Sequence, residues 1–154
     1  MTAVDDPELA LRRCQQGNRN SDGLEFTACE GTPYLSLDAH RSLSGTRHLK
    51  SIWNLSRPDE CHVFCAARLG KWADAVGNYW AVAKDGEGNF GDSRERMAFF
   101  PVPTNVTDRW HGFPVGRKRG LLFWRDPPAD LVQRWTAQGR ISRVTRARII
   151  QRKL

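Results

Sequence analysis

Residues Asp126–Leu154 read DPPADLVQRWTAQGRISRVTRARIIQRKL, and this stretch carries the signals of two consecutive helices. Asp126-Pro127-Pro128 opens the first, because proline is tolerated where a helix has no backbone partner to lose. Leu131, Val132 and Trp135 form its apolar stripe through Gln138, and Gly139 stops it. Ser142 is a good cap for a second helix over Arg143–Arg152, whose apolar stripe is predicted at Val144, Ala147, Ile150 and Leu154. Only residues 139–142 separate the two, so they should close the chain as a helical hairpin.

Working outward toward the N-terminus, the pattern changes from helical spacing to short apolar runs. Arg109–Val115 and Leu121–Trp124 read as strands joined by Gly116-Arg117-Lys118-Arg119-Gly120, a loop with three basic residues at its tip. Met97–Val102 reads as another strand, placed at a sheet edge because Pro101 and Pro103 cannot donate to a ladder. Tyr79–Lys84 and Asn89-Phe90 flank Asp85-Gly86-Glu87-Gly88, a hairpin signal. His62–Ala67 alternates like a strand. Thr46 can cap a helix over Arg47–Leu55 that ends at Ser56-Arg57-Pro58-Asp59. Tyr34–Leu37 and Leu24–Cys29 read as strands, and Asp6-Pro7 opens a helix running from Glu8 to Gln16. The predicted fold class is α+β, a mostly antiparallel sheet with an N-terminal helix and a C-terminal helical hairpin.

The 154 residues suit one domain, with a possible hinge near 101–108 and a basic subregion over 109–154. Six tryptophans and 40% hydrophobic residues exclude a disordered chain. The first residues lack a basic stretch followed by an apolar run, and nothing approaches the roughly 18 apolar residues of a membrane span. A cytoplasmic location without membrane contact is therefore expected, with reduced cysteines. Cys61 and Cys65 lie in one short segment with His62, but Cys14 and Cys29 are too far apart in sequence to form the second tight pair of a common zinc site. The thiols are read as apolar filler on a strand face, and no metal is expected.

Charge divides the chain. Residues 1–108 carry a net of −3, whereas residues 109–154 hold twelve basic and two acidic side chains, a net of +10. Nineteen of the twenty-four basic residues are arginine, whose guanidinium can clamp a phosphate through two hydrogen bonds. This asymmetry predicts an anionic partner. The leading expectation is a nucleic-acid-binding module, RNA or DNA, that contacts phosphates through Arg117, Lys118, Arg119, Arg140, Arg143, Arg146 and Arg148. Trp110, Phe113, Phe123 and Trp124 flank the tip and either stack on unpaired bases or pack the core. The last two helices resemble a helix-turn-helix unit. They depart from it in the bulky Trp135 and in the lack of a third helix, so an ordinary hairpin is the competing reading.

Two other classes fit the same residues. A small metal-independent ribonuclease, toxin-like, needs a proton acceptor, a proton donor and a cation, and His40, His48 and His111 with Arg41, Arg47 or Lys50 offer that set. An interaction protein of the immunity or inhibitor type can instead dock an acidic protein partner on its basic face. The phosphate-loop, dinucleotide, zinc-protease and serine-hydrolase templates do not occur, so no cofactor is expected.

Overall fold

The computed structural model describes residues 14–41, 51–105, 107–116 and 126–154. Two antiparallel three-stranded sheets and three helices make up this part, an α+β arrangement. The first sheet runs β1 (Gln15–Arg19), β2 (Gly23–Thr27) and β3 (Pro33–Leu37) in that order. Asn20 turns the chain between β1 and β2, its side-chain oxygen accepting from the backbone of Asp22 at 2.9 Å and Gly23 at 3.1 Å. Gly23 is required there. A Cβ at this position would lie 2.1 Å from the Ser36 carbonyl oxygen on β3. The predicted strands at Leu24 and Tyr34 are thus present. The predicted N-terminal helix lies largely outside the described residues, and its last positions, Gln15 and Gln16, belong to β1 instead.

The second sheet comprises β4 (Tyr79–Val82), β5 (Met97–Phe100) and β6 (Phe113–Val115), again in chain order. Two expectations are corrected here. β4 pairs with β5, not with Asn89-Phe90, because the connection continues through a second turn in which the Phe90 and Gly91 amides both bond the Glu95 carbonyl. β5 is the central strand and not an edge. Its ladder ends at Phe100, so Pro101 and Pro103 fall beyond it and remove no bond. The two sheets meet where the Leu35 amide donates to the Trp110 carbonyl at 2.7 Å and the Trp110 amide donates to that of Pro33 at 3.1 Å.

The predicted strand at His62–Ala67 is a helix. α1 spans Arg57–Leu69, and the segment read as a helix stop is its start: Ser56 accepts from the Asp59 amide at 3.2 Å, with Pro58 in the first turn. Cys61, Phe64 and Cys65 form its buried face. The spacings 61, 63 and 65 and 61, 64 and 65 are both populated by apolar residues, and burial selects the second. The predicted helix at 47–55 falls partly outside the described residues. Its described end is not helical, since the Trp53 amide donates to the His40 carbonyl at 3.0 Å.

α2 (Ala129–Ala137) and α3 (Arg143–Ile150) form the predicted hairpin. Leu131, Val132 and Trp135 are buried as expected, and Trp135 meets Trp72 edge to face at 5.9 Å. The stripe on α3 is one residue out of place: Thr145 and Ile149 are buried, whereas Val144 is 69% and Ile150 64% exposed. Asp85 sets this rotation. Its carboxylate accepts from the Ser142 amide at 2.7 Å and the Thr145 hydroxyl at 2.9 Å, turning Thr145 inward. Desolvation works against that charge, but Arg96, Ser142 and Thr145 hold the carboxyl below its ordinary range.

All three helices end in the same hydrogen-bond pattern. Trp72 bonds back to Ala67, Arg140 to Trp135 and Lys153 to Arg148, each across a left-handed residue: Lys71 (φ 55°), Gly139 (φ 75°) and Arg152 (φ 58°). Only one of these residues is a glycine. The Lys153–Arg148 bond, at 2.7 Å, folds the end of the chain back beside α3.

Asp38, in a one-turn 3₁₀ helix after β3, accepts from Arg19 at 2.8 Å and from Arg57 at 2.6 Å. The Arg19 guanidinium, with that of Arg57, holds its carboxyl down at about 2. A depressed carboxylate contributes stability above its ordinary value and loses it as pH falls toward the folded one. Between pH 4 and pH 2 the wild type should therefore lose more stability than Asp38→Asn. Because Asp38 is exposed, the difference at neutral pH should stay below about 1 kcal/mol. Urea melts at both pH values check this. Parallel acid sensitivity in the two proteins would contradict it.

Candidate nucleic-acid interface

The predicted cations are not equivalent once folded. Arg117, Lys118 and Arg119 lie outside the described residues. Arg140 is committed to the fold: its guanidinium sits 4.7 Å over the Trp72 ring and donates to the Val82 carbonyl at 3.3 Å. Arg143, Arg146 and Arg148 all lie on α3, and among the described residues none of them has an acidic partner. Three other arginines of the last third are engaged among the described residues. Arg109 pairs with Glu25, Arg152 with Asp126 at 2.6 Å, and Arg134 donates to the Gly70 carbonyl at 2.6 Å.

The structure adds two cations that the sequence reading left out. An open cleft of about 470 Å³ lies between the end of α3 and the turn before β5, and Arg94, Arg96, Arg148 and Lys153 line it together with Glu95. Arg96 is neutralised by Asp85 at 2.6 Å, and the buried Glu95 adds a negative charge to the wall. Arg94, Arg148 and Lys153 form no ion pair among the described residues. Arg94 holds φ 71°, a backbone conformation costing roughly 1 kcal/mol for a residue with a Cβ. Lys153 reaches the cleft through the turn at Arg152, where arginine in place of the usual glycine hid the chain reversal from sequence analysis.

Gly116 packs against two residues of this cleft. A Cβ there would meet the Glu95 side chain at 3.2 Å and the Leu154 carbonyl oxygen at 3.3 Å.

The aromatic residues divide. Trp110 packs against Tyr79 at 5.1 Å and Phe64 at 5.5 Å, and Phe113 against Phe99 at 5.7 Å, so these two serve the core. Phe123 and Trp124 lie outside the described residues. Of the candidate histidines, His40 and His111 are among the described residues. His40 stacks on Phe113 at 5.2 Å with Nδ1 3.0 Å from the Ser51 carbonyl oxygen. His111 is largely buried, and desolvation pushes its pKa down. No contact joins the two among the described residues, and His48, Arg47 and Lys50 lie outside them. Arg41, the remaining candidate cation, bonds Glu60 and the Leu55 carbonyl, so it too is structural.

One group of side chains has metal-ligand geometry among the described residues. The sulfur atoms of Cys14, Cys61 and Cys65 all lie within 4.8 Å of one another, although the sequence reading treated them as filler.

The fold and cleft thus define a small α+β protein in which Arg94, Arg148 and Lys153 line one cleft without an ion pair among the described residues. No helix of the described residues is long and apolar enough to cross a membrane. Comparison with protein-family models, with curated proteins and with solved structures finds no match to this chain.

Proposed function

We propose that this chain is a nucleic-acid-binding module that grips the phosphate backbone through Arg94, Arg148 and Lys153 at the cleft and Arg143 and Arg146 along α3. Arg117, Lys118 and Arg119, cations of the sequence-based expectation, lie outside the described residues. The observation that carries this reading is that Arg94, Arg148 and Lys153 line the cleft with no ion pair among the described residues. Cations left without carboxylate partners retain their electrostatic attraction for an external polyanion, whereas Arg96, Arg109 and Arg152 have theirs largely cancelled. The open, polar cleft suits a solvated backbone better than an apolar ligand, and Trp110 and Phe113 are unavailable for base stacking. Recognition by charge rather than by base sequence follows. A cytoplasmic location, where nucleic acid is abundant and thiols stay reduced, goes with this reading.

Titrating the protein into a fluorescently labelled single strand and its duplex tests it. At about 150 mM salt, saturable binding with Kd between roughly 1 and 100 μM is expected, the ordinary range for contacts made mainly to phosphate. No anisotropy change with either probe at the highest protein concentration would contradict the proposal. A protein partner captured from lysate that survives nuclease treatment, together with no binding to the probes, would favour an acidic protein as the ligand.

A further inference from the structure

Three of the four cysteines meet at one point, the sulfurs of Cys14, Cys61 and Cys65 all lying within 4.8 Å of one another. Cys61 and Cys65 are one turn apart on the buried face of α1. The pairing of Gln15 with Thr27 sets the start of β1 opposite the end of β2, which brings Cys14 and Cys29, distant in sequence, to the same end of the hairpin. The Cys14 and Cys65 sulfurs are 3.5 Å apart. Cys61 completes the group of three, and Cys29 lies outside it. The third ligand of a zinc site, missing from the sequence around Cys61 and Cys65, is supplied by Cys14 at the start of β1.

These distances fit one tetrahedral ion. With zinc–sulfur bonds of about 2.3 Å the ligand sulfurs stand about 3.8 Å apart, close to the spacing of this cluster. An iron–sulfur cluster, with several atoms between its ligands, would hold the sulfurs farther apart. The surroundings suit a thiolate: the Cys29 amide donates to the Cys65 sulfur at 3.0 Å.

We propose that Cys14, Cys61 and Cys65 bind one zinc ion through three thiolates, fastening the start of β1 to α1. The thiols lose their protons to solvent as the zinc–sulfur bonds form, and no redox change is involved. His62 takes no part, as its Nδ1 faces Asp59 at 3.6 Å.

The full chain, purified under reducing conditions from zinc-supplemented medium, should carry one zinc per chain that a thiol-blocking mercurial releases. Metal-free protein titrated with cobalt(II) should develop the visible spectrum of a tetrahedral thiolate complex, bleached by one equivalent of zinc. Cys14 is only half-buried, so Cys14→Ser should fold while its zinc affinity falls at least about tenfold. If Cys65→Ser does not fold, the cobalt titration of the wild type still decides. Freely reactive thiols in zinc-reconstituted protein, cobalt without a thiolate spectrum, or a Cys14–Cys65 disulfide in the reduced preparation would overturn the proposal.

Discussion

Glu60→Ala is expected to destabilise the fold by about 3–5 kcal/mol, the range for removing one partner of a buried ion pair. Glu60 is fully buried near the start of α1 and accepts from the Tyr34 hydroxyl at 2.6 Å and the Ser36 hydroxyl at 2.9 Å. The Arg41 guanidinium, itself mostly buried, binds the same carboxylate. Burial pushes the Glu60 carboxyl up, and Arg41 with the two hydroxyls pulls against that shift. Alanine would leave two hydroxyls without an acceptor and a guanidinium without its counter-charge, all at the seam between β3 and α1. Glu60→Gln keeps an acceptor for the hydroxyls but loses the charge, so it should cost less than the alanine variant. Thermal melts of the three proteins check this, with Glu60→Ala lowered by roughly 10 °C or more. A shift of only a few degrees would show that the network contributes little beyond its packing.

The second large effect concerns binding. Replacing Arg94, Arg148 and Lys153 together by glutamine should lower affinity for a labelled oligonucleotide by about thirtyfold or more at low salt, several phosphate contacts being lost together. All three side chains line an open cleft and carry no ion pair among the described residues, so stability should change by less than about 1 kcal/mol. The control is Arg109→Gln with Arg152→Gln. These two arginines have carboxylate partners, so their loss should leave binding within about threefold. Equal loss from both sets would mean that total charge, and not the cleft, governs attraction.

The C-terminal hairpin was legible because its signals are local. Pro127-Pro128, Gly139 and Ser142 punctuate it, and Leu131, Val132 and Trp135 share one helical face. The rotation of α3 was not legible, because Asp85, nearly sixty residues upstream, sets which side of that helix turns inward. α1 was misread for a different reason: Ser56-Arg57-Pro58-Asp59 serves as a stop or as a cap, and only burial of Cys61, Phe64 and Cys65 decides between them. The cysteine cluster depends on strand register, which no spacing in the sequence records. Of the predicted binding residues, Arg143, Arg146 and Arg148 keep their charge available, whereas Arg140 is held on Trp72. Arg94 and Lys153 escaped notice because turns, not a charge run, bring them to Arg148.

The salt dependence of oligonucleotide binding tests the central claim most directly. With five cations on phosphates, a plot of log affinity against log salt for a single strand should slope at about −3.5, roughly a hundredfold loss between 50 and 200 mM. The Arg94, Arg148 and Lys153 triple variant should show a slope shallower by about 2. A flat plot for the wild type, or equal slopes for the two proteins, would contradict phosphate binding at the cleft.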